Sequence, residues 1–279
     1  MVICKTVKSL GEYAVSKAPD TLTGFIPTLG ALHEGHISLI RESLSRGRFT
    51  VCSIFVNPTQ FNDPADYAKY PKTLDKDVLL LESSGADLLF LPSVEEIYPD
   101  GLVPPKKYDL GYLETILEGK YRPGHFQGVC QVVERLLRIV RPDELFMGQK
   151  DYQQCMVLRK LIELEHLPVT MIIGPTRREA DGLAMSSRNL RLDDAQRKSA
   201  VELFRTLQWI KSGFRPGPLE ALKREGAAQL EAKGFRVDYV EIADARDLTL
   251  LETWDGITPA VALVAAYSGE VRLIDNELL

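Results

Sequence analysis

The chain has 279 residues, 45% of them hydrophobic and 26% charged, and a formal net charge of -5 at pH 7, which predicts about two domains of ordinary globular composition. The acidic balance argues against a nucleic-acid-binding protein, whose surface is usually basic. No apolar run approaches the ~18 residues of a membrane span and the N-terminus lacks a signal-peptide pattern, so we expect a cytoplasmic protein without a membrane or nucleic-acid partner.

Strand-like and helix-like runs alternate along the first 176 residues. In chain order they are FIPT, a helix at about 36–46, FTVCSIFV, the helix TLDKDVLLLESSG, ADLLFLP, the irregular stretch VPPKKYDLGYLETILEGKYRPGHF, the helix GVCQVVERLLRIV, ELFMG, the helix DYQQCMVLRKLIELEHL and VTMIIG. Such alternation predicts parallel strands with helices packed on both faces. We therefore predict an α/β fold, a Rossmann-like doubly wound parallel sheet of about five strands that ends near residue 175.

The remaining residues, 177–279, have a different pattern. Two helical stretches, LDDAQRKSAVELFRTLQWIKSG and PLEALKREGAAQLEAKG, precede the strand-like runs VDYVEIADA, AVALVAAYSG and VRLIDN. This pattern predicts a smaller α+β C-terminal domain after a Rossmann-like domain of residues 1–176. Because ligands of doubly wound sheets bind at the carboxyl ends of the strands, we expect the C-terminal domain to close over that edge as a lid.

Two of the four histidines, His33 and His36, lie in the motif HEGH at the joint between a predicted strand and a predicted helix. The spacing is one residue short of HExxH, so it does not predict a metalloprotease. At the N-terminus of a helix, which is a natural anion site, imidazoles can donate hydrogen bonds to phosphate oxygens. The residues alone leave two interpretations open, a phosphate-binding pair and two surface histidines in a turn.

Four further motifs place polar side chains near the ends of predicted elements. GQKD puts Lys150 near a helix N-terminus, and AMSSRN offers hydroxyls and a guanidinium suited to phosphate oxygens. FVNPTQF contributes the neutral amides of Asn57 and Gln60 after a strand, where they could bind hydroxyls and carboxylates, and RPGHF contributes Arg122 and His125 on a loop. Each motif taken alone is also compatible with ordinary surface residues, caps or turns.

Together these segments resemble the pantoate–β-alanine ligase (pantothenate synthetase) family over essentially the whole chain. The matching segments are PTLGALHEGHISLI, SIFVNPTQFNDPADYAKYPKTLDKD, RPGHFQGV, FMGQKDYQQ, READGLAMSSRN and RLIDN, in the family's order and at family-like spacing. HxGH alone marks the wider nucleotidylyltransferase superfamily, whereas FVNPTQF, RPGHF, GQKDYQQ and AMSSRN together are specific. Two positions depart from the family's pattern: Leu29 stands where methionine is common, and Arg177 stands where an aliphatic residue is usual.

The resemblance implies a ligation in two steps. The carboxylate of pantoate attacks the α-phosphorus of ATP, with Mg²⁺, to give pantoyl adenylate and pyrophosphate. The amine of β-alanine then attacks the acyl adenylate to give pantothenate and AMP. The resemblance thus implies ATP as a substrate, Mg²⁺ as a cofactor, pantoate and β-alanine as small-molecule partners, and a homodimer.

The resemblance also implies roles for individual residues. The expected catalytic residues are His36, His33 and Lys150, and His36 occupies the position of the family's proton donor. Gln60 and Gln154 are expected to bind pantoate, and Asp77 is the expected magnesium contact. The expected ATP contacts are Leu29, Gly30, Ala31, Leu32, His33, Glu34, Gly35, His36, Gly148, Gln149, Lys150, Asp151, Arg177, Met185, Ser186, Ser187 and Arg188.

Two other functions remain compatible with the residues. A nucleotidylyltransferase that leaves AMP or CMP on a phosphorylated substrate would share HxGH but would not need the amides of Gln60 and Gln154. A nucleotide-sensing regulatory module would bind ATP without turnover. An aminoacyl-tRNA synthetase remnant is disfavoured by the acidic charge and by the lack of a recognisable anticodon-binding region.

Overall fold

The computed structural model describes residues 1–14, 20–61, 67–102 and 106–279. Within these ranges the first part of the chain forms a parallel sheet of six strands: β1 (Val2–Cys4), β2 (Thr23–Thr28), β3 (Phe49–Ile54), β4 (Leu88–Phe90), β5 (Glu144–Gly148) and β6 (Thr170–Gly174). The predicted α/β fold with a parallel sheet is confirmed. Residues 62–66 of the motif SIFVNPTQFNDPADYAKYPKTLDKD and 103–105 of the predicted irregular stretch lie outside the described residues.

The strand order in this sheet is β1-β4-β3-β2-β5-β6, and all neighbouring strands are parallel. The chain winds from β2 through β3 to β4 on one side, and later adds β5 and β6 on the other side of β2. The order therefore reverses between β2 and β5, and ligands of such sheets bind outside the carboxyl ends of the strands at this switch point. The loop Leu29–Leu32 follows β2, and Gly148 ends β5, so both lie at that edge of the sheet.

The prediction of about five strands was one strand short, because it missed β1. This strand has only three residues and pairs with β4 alone, at the edge of the sheet. Three residues are too few to show an alternating pattern, and the pairing partner lies far along the sequence, so no local signal marks β1 as a strand.

The helices around this sheet are α1 (Val7–Ala14), α2 (Glu34–Ser45), α3 (Leu74–Ser84), α4 (Val94–Ile97), α5 (Leu117–Tyr121), α6 (His125–Val140) and α7 (Tyr152–Leu164). Two corrections apply. The stretch predicted as irregular contains α5 and a 3₁₀ turn at Gly111–Glu114. His125 was predicted on a loop but is the first residue of α6, which begins directly after Gly124 in the left-handed backbone conformation (φ +80°).

The apolar side of α2 attaches this helix to the sheet. Ile37 and Ile40 are at most 1% exposed and pack in one cluster with Ile26 of β2, Cys52 of β3 and Phe146 of β5. Full burial of a side chain of this size contributes about 1.5–3 kcal/mol. The N-terminus of α2, which carries both motif histidines, is thereby fixed relative to the carboxyl ends of β2 and β3.

The C-terminal part of the chain contains α8 (Asp194–Ser199), α9 (Glu202–Gly213) and α10 (Glu220–Ala232). Its strands are β7 (Gly217–Pro218), β8 (Arg236–Asp244), β9 (Thr253–Trp254), β10 (Ala260–Ser268) and β11 (Val271–Leu278). The antiparallel sheet β11-β10-β8 packs with α9 and α10 around a separate apolar core. The predicted α+β character is confirmed.

The described chain divides into two compact units. The first comprises Met1–Gly148 and Val157–Pro175, and the second comprises Gln149–Met156 and Thr176–Leu279. The segment Gln149–Met156 therefore belongs with the C-terminal residues, and the predicted boundary at 176/177 stays a prediction. None of the described helices is both long and apolar enough to cross a membrane.

Candidate active site

The loop between β2 and α2 has an unusual backbone. Gly30 and Ala31 both have positive φ angles, +79° and +48°. A Cβ on Gly30 would lie 3.1 Å from Ile54 Cγ2 and 3.2 Å from Asp77 Oδ2. Glycine is therefore favoured here both by the backbone conformation and by the limited space. The Gly30 N–H donates to Thr28 Oγ1 (3.2 Å), whose hydroxyl donates to the Ser53 carbonyl of β3 (2.7 Å).

The two motif histidines are locked to the N-terminus of α2. His33 is the N-cap, and its Nδ1 accepts the Gly35 N–H (3.2 Å), while His36 Nδ1 accepts the His33 N–H (3.3 Å). The ring centroids are 4.1 Å apart. Because Nδ1 accepts a hydrogen bond in each ring, the neutral imidazole carries its proton on Nε2. Each half-buried ring can thus donate from Nε2, beside the positive end of a helix.

Asp77, the predicted magnesium contact, is almost completely buried at 2% exposure. Its Oδ2 accepts the Ala31 N–H (2.9 Å), and its Oδ1 accepts the Leu32 N–H (2.8 Å) and the Thr73 hydroxyl (3.1 Å). Both carboxylate oxygens are therefore already bound to donors of the protein. In the structure Asp77 connects the first turn of α3 with the loop after β2.

A cavity of about 300 Å³ lies on one side of this loop. Its lining comes from the ends of β3 and β4, the start of α3 and the loop itself, and includes Leu29, Ala31, Phe55, Leu74 and Asp77. The loop is thus not packed on all sides, and hydrogen bonds have to hold its conformation.

Gln60 lies in a 3₁₀ turn, Pro58–Gln60, beyond the end of β3, and Asn57 orients it. Asn57 is 0% exposed, and its Nδ2 donates to Gln60 Oε1 (3.3 Å) and to the Gly128 carbonyl (3.2 Å). Its Oδ1 accepts the Tyr98 hydroxyl (2.8 Å). The interpretation of Asn57 as a substrate-binding amide is therefore wrong, because its polar atoms are committed inside the protein. The bond to Oε1 fixes the orientation of the Gln60 amide, whose nitrogen carries two N–H donors.

The motif RPGHF supports the same turn from the other side. His125 Nδ1 lies 2.8 Å from the Gln60 carbonyl, and Arg122 Nη1 lies 3.0 Å from His125 Nε2. A guanidinium can only donate, so Nε2 is the acceptor and Nδ1 carries the proton that is donated to Gln60. Glu118 lies 3.6 Å from the Arg122 guanidinium. His125 is thus a buried support of the Gln60 backbone.

In the second unit, the segment after β5 is held by the end of β11. Asn276 Nδ2 donates to the carbonyls of Gln149 (3.0 Å) and Lys150 (2.7 Å), and Gln149 Nε2 donates to Asn276 Oδ1 (3.3 Å). Lys150 is 17% exposed, and its Nζ lies 3.8 Å from Asp151 Oδ1. Lys150 is therefore a partly buried cation on a fixed backbone.

Arg178 and Asp275 form an ion pair beside this segment. Arg178 Nη1 lies 2.6 Å from Asp275 Oδ2, and Nη2 donates to the Asn276 carbonyl (3.2 Å). Burial raises the pKa of Asp275, while the Arg178 guanidinium and the positive charge of Lys150 act in the opposite direction. Sequence reasoning did not single out Arg178, Asp275 or Asn276, although RLIDN was among the matching segments and charged residues in a β-run were the available signal.

The serine motif adjoins the same strand. Ser186 is the N-cap of the 3₁₀ turn Ser187–Arg191, and its Oγ accepts the Arg188 N–H (3.3 Å). This turn contacts β11, and the backbone N–H of Met185 donates to the Arg177 carbonyl (2.9 Å). The Arg177 side chain is exposed.

Within each unit, the structure brings part of the predicted site together. In the first unit the loop residues Leu29–His36 adjoin Asp77, and Gln60 rests on Asn57 and His125. In the second unit Gln149–Asp151 and Ser187–Arg188 adjoin β11, and Gln154 is half-buried in the first turn of α7, as predicted. Glu34 is exposed and forms an ion pair with Arg41.

The comparisons with known proteins agree over the full length. The family model described as pantoate-beta-alanine ligase matches residues 2–278. The chain belongs to this family. A pantothenate synthetase from Azobacteroides pseudotrichonymphae is 43% identical over 279 residues, 99% of each chain. The pantothenate synthetase structure from Thermus thermophilus superimposes with a TM-score of 0.90 at 40% identity, covering 99% of each chain.

A further family member of known structure carries ligands. The pantoate-beta-alanine ligase from Francisella tularensis, described as complexed with beta-gamma ATP and beta-alanine, has a TM-score of 0.84 at 36% identity and covers 100% of this chain and 97% of its own. Family membership over the whole length makes this chain an enzyme that joins pantoate to β-alanine. The predicted resemblance is confirmed.

Proposed function

We propose that the chain joins pantoate to β-alanine at the expense of ATP through a pantoyl adenylate. An amine does not displace oxide from a carboxylate, so the carboxylate first has to acquire a leaving group. A pantoate oxygen attacks the α-phosphorus, the bond from that phosphorus to the bridging oxygen breaks, and pyrophosphate leaves. The β-alanine nitrogen then attacks the acyl carbon, loses a proton and expels AMP.

The observation that carries this proposal is the N-terminus of α2 at the switch point of the sheet. Two imidazoles with Nε2 as donor flank the positive end of a twelve-residue helix, next to the loop that follows β2. Donors fixed in this way suit the charge that develops on a transferring phosphoryl group, because they need no rearrangement during the reaction. His33 and His36 take this role in the proposal, and Leu29–His36 bind the nucleotide.

The second unit carries further residues that we propose as ATP contacts. Lys150 contributes a partly buried positive charge, and Ser186, Ser187 and Arg188 contribute the hydroxyls and the planar guanidinium that suit phosphate oxygens. Gly148, Gln149, Asp151, Arg177 and Met185 are the remaining proposed ATP contacts. Hydrogen bonds from Asn276 of β11 fix the backbone of Gln149 and Lys150 and support this assignment for these two residues.

Pantoate is proposed to bind through amides. Gln60 offers the N–H donors of an amide that Asn57 orients, and Gln154 lies half-buried at the start of α7. Neutral amides hydrogen-bond to hydroxyl and carboxylate oxygens without adding a charge beside the triphosphate. A nucleotidylyltransferase acting on a phosphorylated substrate would need cations at this position.

Magnesium is proposed to enter with ATP as part of the substrate. Mg²⁺ requires oxygen ligands at about 2.0–2.1 Å and commonly retains waters and phosphate oxygens. The predicted contact Asp77 does not fit this requirement, since its oxygens are buried and accept three hydrogen bonds. Among the described residues, no cluster of three histidine, cysteine, aspartate or glutamate side chains could hold a metal ion.

The domain roles, the assembly and the location are carried from the sequence and the family. Residues 1–176 are proposed to bind nucleotide and pantoate, and 177–279 to act as a lid that excludes water from the reactive acyl adenylate. A cytoplasmic homodimer is proposed. Sedimentation equilibrium of the purified chain tests the dimer, and a mass of 31.2 kDa would contradict it.

Product analysis tests the proposed function. Mass spectrometry of mixtures of ATP, magnesium, pantoate and β-alanine, with each omitted in turn, should detect pantothenate and AMP only in the complete mixture. Exchange of labelled pyrophosphate into ATP should require pantoate and should not require β-alanine. Exchange that needs a phosphorylated substrate would support a nucleotidylyltransferase, and ATP binding without any product would support a sensing module.

A variant of the histidine pair tests the proposed role of the two imidazoles at the N-terminus of α2. His36→Ala should lower the rate of pyrophosphate exchange by roughly 10²–10³-fold, as expected for a lost transition-state donor. The matched control is His166→Asn, because His166 lies beyond the end of α7 with φ +48°, a conformation that asparagine tolerates. The control should retain the exchange rate, and a normal rate in His36→Ala would remove the proposed role.

A further inference from the structure

The loop after β2 is held in a conformation that the chain does not favour by itself. Ala31 follows Gly30 in the left-handed region, at φ +48°, where a residue with a Cβ is disfavoured. The cavity of about 300 Å³ beside Leu29 and Ala31 leaves part of the loop without packing partners. The conformation therefore depends on polar contacts.

The contacts of Ala31 and Leu32 come from one side chain, Asp77. The carboxylate of Asp77 accepts the N–H groups of Ala31 and Leu32, one on each oxygen, at 2.9 and 2.8 Å. Thr73, the residue before α3, donates its hydroxyl to Oδ1 and fixes the carboxylate in turn (3.1 Å). The next residue, His33, is the N-cap of α2, so the position of the histidine pair follows directly from the position of these two amides.

The same contacts decide what the loop can offer to a ligand. The amides of Ala31 and Leu32 are directed at Asp77, and that of Gly30 is directed at Thr28 Oγ1. These N–H groups are therefore engaged inside the first unit, and the proposed function assigns the contacts with nucleotide phosphate to the histidines at the start of α2. A Mg²⁺ ion on Asp77 would have to reach a carboxylate that is 2% exposed, and it would compete with the amides that give the loop its shape.

We propose that Asp77 is a positioning residue for the nucleotide loop Leu29–His36 and not a ligand of magnesium. This inference rests on the proposed function, because it assigns ATP to that loop. Asp77 acts through the backbone of Ala31 and Leu32, and its loss lets the loop leave the left-handed conformation and moves His33 and His36.

The decisive experiment separates loop positioning from metal binding. Asp77→Asn keeps the size of the side chain but replaces one acceptor with an N–H donor that faces a backbone N–H. ATP binding to the whole chain is measured by calorimetry in EDTA, without magnesium, and should weaken roughly 10- to 100-fold, as for the loss of a charge-assisted hydrogen bond. The Mg²⁺ concentration for half-maximal pyrophosphate exchange at saturating ATP should stay as in the parent chain.

Two further variants calibrate this result. Asp75→Asn changes an exposed carboxylate in the same first turn of α3. It should change neither ATP binding in EDTA nor the Mg²⁺ concentration for half-maximal exchange. Thr73→Val removes the hydroxyl bond but retains both amide bonds, so ATP binding in EDTA should weaken only roughly 2- to 5-fold. This milder variant keeps the test available even when Asp77→Asn does not fold.

The outcomes distinguish the inference from the proposed function. A parent chain that binds no ATP overturns the proposed function itself. A parent chain that binds ATP, with Asp77→Asn or Thr73→Val binding it equally well in EDTA, overturns only the positioning role. A raised magnesium requirement in Asp77→Asn, with ATP binding in EDTA unaffected, makes Asp77 a metal ligand.

Discussion

Single side chains in this molecule serve as supports for the residues proposed to meet the substrates. Asn57 holds Gln60, Asn276 holds the backbone of Gln149 and Lys150, and Asp77 holds the loop before His33. Each support is at most 2% exposed. Buried polar groups of this kind are costly unless every partner is present, so they fix one geometry.

The groups proposed to meet the substrates have a signal in the sequence, whereas the supporting roles of other residues have none. His33, His36, Lys150 and Gln60 stand out because their residue types suit phosphate or hydroxyl oxygens at the ends of predicted elements. The roles of the supports depend on contacts between distant segments, such as that between Asn57 and Gly128. No local pattern reports such a contact, and Asn57 was therefore assigned to the substrate.

The Asn57 side chain gives a prediction about pantoate. Asn57→Asp keeps the acceptor for the Tyr98 hydroxyl but cannot donate to Gln60 Oε1 or to the Gly128 carbonyl. We expect the free energy of unfolding to fall by about 1–3 kcal/mol, because a buried carbonyl loses its donor. The Gln60 amide is no longer oriented, so KM for pantoate should rise several-fold.

Steady-state kinetics with each substrate varied in turn checks this expectation. KM for ATP is the internal control and should remain within about twofold of the parent value, because Asn57 does not contact the nucleotide loop in the described hydrogen bonds. An equal rise of both KM values would indicate a general loss of structure and would contradict a specific role of Asn57 in orienting Gln60.

At the scale of elements, α6 approaches the Gln60 turn unusually closely at Gly128. A Cβ on this residue would lie 2.2 Å from the Thr59 carbonyl oxygen, a distance at which backbone has to move. Gly128→Ala should therefore separate α6 from the turn and lower the free energy of unfolding by about 1–3 kcal/mol or more, as for overpacking. It should also raise KM for pantoate.

The matched control for Gly128→Ala lies on α1. A Cβ on Gly11 would meet nothing within 4 Å, and Gly11 is inside a helix, so Gly11→Ala should raise the free energy of unfolding by about 0.5–1 kcal/mol. Urea titrations of both variants and the parent chain check that the free energy of unfolding falls in Gly128→Ala and rises in Gly11→Ala. A Gly128→Ala chain as stable as Gly11→Ala would refute the close approach of α6.

The elements that the sequence predicted are those with a long periodic pattern. The apolar runs of β2, β3, β5 and β6 and the helices α2, α3, α6 and α7 were found within a few residues. The described elements that were missed are short: β1, β7 and β9 have two or three residues, and α1, α4 and α5 have four to eight. The residues VIC form β1 because they pair with β4, and their sequence alone shows no strand pattern.

At the scale of the whole molecule, composition and alternation predicted the α/β class and a second α+β part. The strand order could not be predicted in the same way, because parallel pairing is made between segments that are distant in sequence. The membership of Gln149–Met156 in the second unit was also unexpected, and it agrees with the contact of Asn276 with Gln149 and Lys150. That contact joins two segments that sequence reasoning placed in different domains.

Both units carry carboxylates whose charged form is favoured in the folded state. Hydrogen bonds from arginine hold the pKa of Glu144, Asp181 and Asp244 below the ordinary values; their partners are Arg48, Arg197 and Arg246. Donors of Thr258 and Ile257 lower the pKa of Asp255 to about 2. Asp275 acts in the opposite direction, because burial raises its pKa.

These shifts predict the acid dependence of stability. A carboxylate with a depressed pKa in the folded state binds fewer protons than its unfolded counterpart, so stability is fully present above the ordinary pKa of about 4 and is lost as the pH falls towards the folded value. Among the described residues, carboxylates with a lowered pKa outnumber those with a raised pKa. The urea midpoint should therefore be nearly constant from pH 7 to 5 and should fall between pH 4 and 2.

Asp255→Asn isolates one part of this dependence. The Oδ1 atom that accepts the N–H groups of Ile257 and Thr258, both at 2.8 Å, has an equivalent in asparagine, but the titrating charge is gone. The variant should lose less stability than the parent chain between pH 4 and 2, while both respond alike above pH 5. Identical acid profiles, or a midpoint that rises as the pH falls below 4, would show that these hydrogen-bonded carboxylates do not control the acid stability of the chain.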